Sequence, residues 1–287
     1  MATIERYRMT YRQITTSQKE EFRRMAERVF VPNETTRDET YRLLPFLNKG
    51  NLIKRRVDYE TTLAEFLKKE PLVRILDLGC GAGFWAETQA ARDPRLAVYG
   101  LTAKDYRRPQ DRPAVVYRGI DSQTGGPIFA TPDGHHLFSG IEFNKTTTID
   151  NQHYFIGDAH EILRILPANF FHLIVSYEAC HYLFDPLRVL KQIHRVLAPN
   201  GYAFLDSFSP LIFDRHEKQV SDEAIKKMFQ GFGQPFHYGK YCPDELHRRH
   251  GLAMKKTRAR FSLPVSHRTV VSNPLDNTHV ITYYLEP

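Results

Sequence analysis

One segment of this 287-residue chain constrains its fold more than any other: a short apolar run followed by three closely spaced glycines. The run covers residues 72–78 and is interrupted by Arg74 and Asp77, as in a strand buried on both faces of a parallel sheet. Glycines follow at positions 79, 81 and 83, and a helix is predicted over Phe84–Arg92. This order predicts a nucleotide-binding crevice, because glycine allows a tight turn and close approach of a ligand.

The spacing of the glycines excludes two common nucleotide-binding motifs. A dinucleotide fingerprint requires a glycine where Phe84 stands, and a phosphate-binding loop requires Gly-Lys-Ser/Thr, which does not follow. The segment instead resembles motif I, Asp-x-Gly-x-Gly-x-Gly, of the class I S-adenosylmethionine (SAM)-dependent methyltransferases, met by Asp77, Gly79, Gly81 and Gly83. An acidic residue suits SAM, which carries an ammonium and a sulfonium but no phosphate. An ordinary glycine-rich turn in another doubly wound protein is the alternative.

A second stretch, residues 171–206, resembles the fourth strand, helix and fifth strand of the same family. Its helix, residues 185–197, begins with Asp185 as N-cap and Pro186 at the first helical position. A Leu-x-Pro-x-Gly turn (Leu197, Pro199 and Gly201), frequent in that family, then leads into a strand. The resemblance covers residues 70–102 and 153–207 closely, residues 208–287 loosely, and residues 1–60 and 104–152 not at all.

Alternating strands and helices predict an α/β fold with a doubly wound, mostly parallel sheet, because right-handed crossovers bury both of its faces. The resemblance implies seven strands, with an antiparallel C-terminal edge formed by a late strand pair near residues 258–265 and His279–Leu285. Residues 1–70 are predicted to form an N-terminal helical cap, with helices at 16–30, 38–47 and Tyr59–Lys69. Residues 71–287 would form the methyltransferase domain, with an insertion at 104–152 after the second strand.

The resemblance implies a role for each residue that ends a central strand. Asp77 would bind the ammonium of SAM, with the backbone of Gly79, Cys80, Gly81 and Gly83 around its methionine end. Asp158 would accept from the adenine amino group, and the Ala159 N–H would reach a ring nitrogen; the alternative for Asp158 is an N-cap. Thr102 stands where the family usually has an acidic residue for the ribose hydroxyls, and Asp105 is a further candidate.

The segment after the fourth strand is expected to face the methyl acceptor. Ser176 and Tyr177 would border the cofactor, and Glu178 and His181 are candidate bases, needed only when the acceptor must lose a proton. Residues 182–184 would add an apolar wall, and Cys180 is interpreted as a packing residue. No Asn/Asp-Pro-Pro-Tyr/Phe tetrapeptide is present, which argues against methylation of adenine or glutamine nitrogen.

Composition further limits the partners and the location expected for this protein. Forty basic and 33 acidic residues give a net charge of +7, but the basic residues are spread along the chain, which favours a solvated basic surface over a nucleic-acid groove. No apolar run approaches the ~20 residues of a membrane helix, and the N-terminus lacks the apolar core of a secretory signal, so no membrane partner is expected. Three cysteines without a pairing pattern favour a reducing, cytoplasmic location. His135, His136 and Asp133 fit a surface hairpin better than a metal site.

These features predict a methyltransferase that uses SAM, releases S-adenosylhomocysteine (SAH), and acts on oxygen, nitrogen or carbon of a small organic molecule. Two alternatives remain. One is a methyltransferase for RNA or protein, suggested by the basic balance. The other is a non-catalytic binding or regulatory protein with the same fold, suggested by Thr102.

Overall fold

A computed structural model of the chain describes the predicted nucleotide-binding region and part of the remainder. The helices predicted at 16–30 and 38–47 lie outside the described residues. The described residues are 6–8, 59–81, 83–103, 114–123, 127–130, 137–139, 152–176, 179–205, 208, 210–214, 216, 218–221, 223–225, 236–240, 250–257, 265–272 and 279–285.

The helices and strands of the described part follow the predicted alternation closely. The helices are α1 (Tyr59–Lys69), α2 (Phe84–Arg92), α3 (Ala159–Ile165) and α4 (Pro186–Val196). The strands are β1 (Arg6–Arg8), β2 (Val73–Leu78), β3 (Leu96–Thr102), β4 (Ala114–Ile120), β5 (Pro127–Ala130), β6 (Leu137–Ser139), β7 (Gln152–Ile156), β8 (Phe171–Ser176), β9 (Leu197–Leu205), β10 (Leu211–Phe213), β11 (Phe236–Lys240), β12 (His250–Lys255), β13 (Val265–Ser272) and β14 (His279–Leu285). None of these helices has the length and apolar character needed to cross a membrane.

The main sheet has its strands in the order β11-β12-β9-β8-β2-β3-β7-β4-β5-β6. Six consecutive strands, from β9 to β4, are parallel, and β12 pairs antiparallel with β9. The doubly wound, mostly parallel fold is therefore confirmed. The predicted count of seven strands is wrong, because the segment 104–152 contributes β4, β5 and β6 to the same sheet. The insertion thus continues the sheet beyond β7.

The position of the last strand pair also differs from the prediction. β14 covers the predicted strand His279–Leu285, whereas residues 258–264 of its predicted partner lie outside the described residues. β13 and β14 pair with each other and with β1 and β10 in a separate four-stranded sheet. The antiparallel neighbour of β9 is instead β12, which continues the hairpin begun by β11. Its signal in the sequence is weak, because only three consecutive apolar residues, Leu252, Ala253 and Met254, are available to it. All three are buried in the sheet.

The side chains of β2 pack alternately on the two faces of the sheet. Val73 and Ile75 lie in a cluster with residues of α1 and α2, whereas Leu76 and Leu78 pack with α3 and α4 on the other face. This alternation follows from the two-residue period of a strand. It places Asp77 on the α1–α2 face, at the end of β2.

α1, the last helix of the predicted cap, is held on α2. The Tyr59 hydroxyl donates to Gln89 Oε1 at 3.0 Å, and the Tyr59 ring meets Trp85 edge-on with centroids 5.6 Å apart. At the surface, Arg92 forms a two-bond ion pair with Glu60. These contacts fix α1 on the same face as Asp77.

Two cations hold the C-terminal ends of the helices on the opposite face. The Arg195 guanidinium donates to the carbonyls of Leu163, Arg164 and Leu166 at the end of α3. Lys256, directly after β12, donates to the carbonyls of Arg195 and Leu197 at 3.1 and 2.6 Å and to Asn169 Oδ1 at 2.7 Å. Both satisfy helix carbonyls that have no partner within the helix.

Candidate functional site

The glycine turn after β2 is fastened to the end of β3. Gly79, Gly81 and Gly83 all have positive φ, at 84, 53 and 81°. The N–H groups of Gly79 and Cys80 both donate to the carbonyl of Leu101, at 2.7 and 3.1 Å. The turn therefore lies beside Thr102, the last residue of β3, as expected for adjacent parallel strands.

The glycines differ in what surrounds them. A Cβ built on Gly79 would lie 2.1 Å from the Cβ of Ala179, in the segment after β8, so β8 and the turn are in close contact. A Cβ on Gly81 would meet no described atom within 4 Å. Gly81 therefore faces open space in the described part of the molecule, where a ligand can approach the backbone.

Tyr154 of β7 packs against the glycine turn. It was not predicted as a site residue. Its hydroxyl donates to the carbonyl of Gly83 at 3.1 Å. Its ring occupies the space where Gly83 and Gly100 lack side chains, within 2.3 and 2.7 Å of a Cβ built at each. In the sequence Tyr154 is an ordinary apolar strand residue, so only the folded chain shows this contact.

Asp77 is the buried acid of the site. Its side chain is 7% exposed, and burial raises its pKa from 3.8 to about 7, with no opposing cation or hydrogen bond among the described residues. A carboxylate in this environment is costly unless a positive group neutralises it. Asp77 is therefore suited to bind an ammonium group.

The carboxyl ends of β3 and β7 lie at the same edge of the sheet as the glycine turn. Thr102 is buried, and its carbonyl accepts from the N–H of Gly157 at 2.8 Å. Asp158 follows and is the N-cap of α3, which begins at Ala159. The N-cap alternative for Asp158 is thus observed, and a second role toward a ligand is compatible with it.

Asp158 is tied to a buried histidine that the sequence did not single out. His160 donates to Asp158 Oδ1 through its backbone N–H at 2.8 Å and through Nδ1 at 2.7 Å. Its Nε2 accepts from the backbone N–H of Asp185 at 3.0 Å. Burial alone would lower the pKa of His160, but the nearby carboxylates, Asp158 first, raise it above its ordinary value. The bond from Asp185 nevertheless requires an unprotonated Nε2, so the geometry favours the neutral ring.

Asp185 links His160 to the second sheet. As predicted, Asp185 is the N-cap of α4, and it accepts from the N–H of Arg188. The Tyr283 hydroxyl on β14 donates to Asp185 Oδ1 at 2.5 Å and accepts from the N–H of Leu187 at 3.1 Å. Tyr283 of β14 therefore bonds both the N-cap carboxylate and an N–H of the first turn of α4.

The segment after β8 is described in part. Ser176 is buried and accepts a bond from the Cys180 thiol at 3.3 Å, which fits a packing role for Cys180. His181 lies in the short 3-10 helix Cys180–Tyr182, whereas Tyr177 and Glu178 lie outside the described residues. Leu183 and Phe184, expected in an apolar wall for the acceptor, pack instead into the core.

The structure therefore gathers most of the predicted cofactor residues along one edge of the sheet. They end adjacent strands or begin the turns that follow: Asp77, Gly79, Cys80, Gly81, Gly83, Thr102, Asp158, Ala159 and Ser176. Among the described residues, no cluster of three or more His, Cys, Asp or Glu side chains could hold a metal ion. His135, His136, Asp133 and Asp105 lie outside the described residues.

Comparison with known proteins identifies the family. The sequence model described as "Methyltransferase domain" matches residues 32–252, which is most of the chain. The chain belongs to this methyltransferase domain family. Its doubly wound, mostly parallel sheet is also the fold that the sequence resemblance to the SAM-dependent methyltransferases implied.

Solved structures resemble the chain at low identity, and no curated protein sequence matches it. YcgJ of Bacillus subtilis is 18% identical with a TM-score of 0.30, over 60% of this chain and 58% of that one. Phosphoethanolamine N-methyltransferase 2 of Haemonchus contortus is 17% identical with a TM-score of 0.30, over 52% and 28%. A SAM-dependent methyltransferase from Mesorhizobium loti is 15% identical with a TM-score of 0.39, over 69% and 97%.

Two observations at the site fit SAM. The buried Asp77 carboxylate needs a cationic partner, which the ammonium of SAM supplies. Gly81 leaves open space beside the turn, where a side chain would obstruct the ligand. The donor set is therefore compatible with the cofactor of the family.

Proposed function

We infer that this chain transfers the methyl group of SAM to a small organic acceptor. The carrying observation is the charge of the described site. Asp77 and Asp158 are the charged residues described at the ends of β2, β3, β7 and β8 and in the turns directly after them, and both are acidic. These two carboxyl groups suit a cationic cofactor, and neither offers a positive partner to a phosphate of RNA.

Three described basic residues near the sheet support the same inference, because they bind groups away from the site. Arg95 precedes β3 and pairs with Asp93, and Arg195 and Lys256 bind helix carbonyls before β8 and β9. These positions lie at the amino ends of the strands, opposite the glycine turn. They contribute to fold stability rather than to a phosphate-binding surface at the site.

When bound, SAM supplies an electrophilic methyl group on its sulfonium. The chain's contribution is to hold and orient the reactants, which lowers the barrier through proximity. Asp77 would bind the ammonium through a charge-assisted hydrogen bond of roughly 1.5–3 kcal/mol. Asp158 and the Ala159 N–H would bind the adenine, and Thr102 would offer one hydroxyl to the ribose. Glu178 or His181 would accept a proton where the acceptor must lose one.

Calorimetric titration with SAM and SAH tests the cofactor site first. Micromolar binding of both is expected, and binding of neither would count against an active enzyme. A screen of small acceptors with a labelled methyl donor then tests the substrate class. Glu178→Gln should leave SAM binding intact and lower turnover if Glu178 is the base.

The basic balance of the whole chain favours a second candidate, methylation of RNA. Each phosphate contact would contribute nearly one unit to the log–log slope of affinity against salt. A steep slope with an RNA acceptor would support this candidate over a small molecule, whereas a flat dependence would exclude it.

A further inference from the structure

His160 lies between two elements of the site and bonds to both with its ring. Nδ1 donates to Asp158 Oδ1 at 2.7 Å, and Nε2 accepts from the Asp185 N–H at 3.0 Å. The Asp185 N–H can only donate, so it determines the tautomer: Nε2 carries no proton and Nδ1 carries one. Because His160 is buried, its protein partners determine which of its two ring nitrogens carries the proton.

The bonds to Asp158 exceed what helix capping requires. An N-cap aspartate normally accepts from a backbone N–H, which the His160 N–H already provides at 2.8 Å. The imidazole adds a second bond to the same oxygen. A carboxylate held twice at one oxygen cannot rotate freely, so it offers a ligand a single hydrogen-bond geometry.

We propose that His160 is a positioning residue: it orients the Asp158 carboxylate toward the exocyclic amino group of adenine and thereby sets the site's preference for adenine. The proposal rests on the proposed function, since it takes Asp158 as the adenine-binding residue. A misdirected hydrogen bond to a charged acceptor corresponds to a loss of about 10- to 100-fold in affinity. Ligands that carry the amino group should show this loss of affinity, whereas ligands without it should not.

Two substitutions separate the bonds of His160. Asn places an amide nitrogen near the position of Nδ1, so His160→Asn keeps a donor for Asp158 and loses the acceptor for the Asp185 N–H. Gln reaches the position of Nε2 with its carbonyl oxygen, so His160→Gln keeps that acceptor and loses the donor. Tyr283→Phe is a matched control, because it removes bonds to Asp185 and Leu187 without touching Asp158.

The probes are SAH and S-inosylhomocysteine, in which a carbonyl replaces the adenine amino group. Calorimetry should show that the wild type prefers SAH, that His160→Gln reduces this preference about tenfold, and that His160→Asn retains it. Tyr283→Phe should lower thermal stability and leave the preference unchanged. An unchanged preference in His160→Gln, or a loss in His160→Asn alone, would overturn the role of His160. A wild type that binds neither compound would overturn the proposed function itself.

A measurement on the intact wild type covers the case in which the variants fail to fold. In protein with isotope-labelled histidine, the nitrogen resonances of His160 should report the Nδ1–H tautomer. The Nδ1 resonance should shift with SAH and far less with S-inosylhomocysteine. Equal shifts with both compounds would contradict the proposal.

Discussion

The Tyr154 hydroxyl donates a 3.1 Å hydrogen bond to the Gly83 carbonyl, across a sequence separation of 71 residues. This bond joins β7 to the glycine turn that we propose holds the cofactor. The turn therefore depends on β7 as well as on its own glycines.

Tyr154→Phe should weaken cofactor binding without disrupting the core. The substitution removes one neutral hydrogen bond, worth about 1 kcal/mol, and keeps the ring that fills the space beside Gly83 and Gly100. We expect the Kd for SAH to rise severalfold in calorimetry. Tyr99→Phe, in the opposite core, is the control and should leave the Kd unchanged; an equal effect in both variants would rule out a specific role.

Alanine at Gly81 and at Gly83 should have different consequences. Both positions have positive φ, so each substitution costs about 1–2 kcal/mol in backbone strain. At Gly83 the new Cβ would also lie 2.3 Å from the Tyr154 ring, so Gly83→Ala should be the less stable protein in thermal unfolding. At Gly81 the methyl enters open space, so Gly81→Ala should stay folded and lose SAH affinity. The reverse ranking of stabilities would contradict the described turn.

Asp77→Asn should stabilise the cofactor-free protein while weakening SAM binding about 10- to 100-fold. Because the pKa of Asp77 is raised from 3.8 to about 7, the folded state binds a proton more tightly, and stability decreases as pH rises from about 4 to about 7. Each pKa unit corresponds to ~1.4 kcal/mol, so the gain at pH 8 should be about 2–4 kcal/mol in denaturant unfolding. A variant less stable than the wild type at pH 8 would show that Asp77 is not an uncompensated charge.

The same shift predicts proton release when SAM binds. Near pH 6.5 the wild-type Asp77 is largely protonated, and an ammonium partner would lower its pKa and expel the proton. SAM affinity should therefore decrease as pH falls from 7.5 to 6. Calorimetry in buffers with different ionisation enthalpies measures the released proton directly; buffer-independent heats would place the ammonium elsewhere.

His172 should make the protein sensitive to acid. Its Nδ1 accepts from the Arg74 N–H at 2.9 Å, and burial lowers its pKa, so the folded state favours the neutral ring. Stability should decrease as pH falls below ~6.5, where the unfolded histidine takes up a proton. His172→Asn keeps an acceptor near Nδ1 and cannot titrate. The free energy of unfolding of this variant, subtracted from that of the wild type at each pH, removes the opposite contribution of Asp77. A difference that does not change with pH would contradict the role of His172.

Shortening the insertion should destabilise the main sheet. β4 pairs in parallel with β7, and the Cβ of Tyr117 lies 3.3 Å from a Cβ built on Gly157, beside Asp158. Replacing residues 104–151 by a short turn should therefore lower thermal stability and SAH affinity together. A deletion that changed acceptor choice alone would mean that β4 is dispensable to the cofactor site.

The sequence was sufficient for the parallel core because strong local signals coincide there. β2, β3 and β8 are predominantly apolar runs, and α4 carries both its N-cap, Asp185, and its apolar stripe. The strands β11 and β12 have neither signal, so the antiparallel neighbour of β9 was assigned to the wrong pair. Pairing partners of short strands are decided by the folded sheet, not by local pattern.

The positions proposed for the cofactor could be located from the sequence for a similar reason, since each lies at the end of a predicted strand or in the segment directly after it. Tyr154 and His160 were not, because their roles depend on contacts 71 and 25 residues away. A buried strand tyrosine and a histidine in a first helical turn carry no local pattern that distinguishes them from packing residues.

The bonds of Lys256 have a consequence for synthesis on the ribosome. The carbonyls that it binds, at Arg195 and Leu197, precede it by 61 and 59 residues. The Arg195 carbonyl also accepts from the N–H of Asn169 at 3.0 Å, but neither carbonyl can bind Lys256 until β12 and Lys256 have left the exit tunnel. A nascent chain stopped before residue 250 would contain the whole glycine turn but lack the antiparallel neighbour of β9 and the Lys256 bonds at the C-terminal end of α4. The domain should therefore acquire its native stability only late in translation.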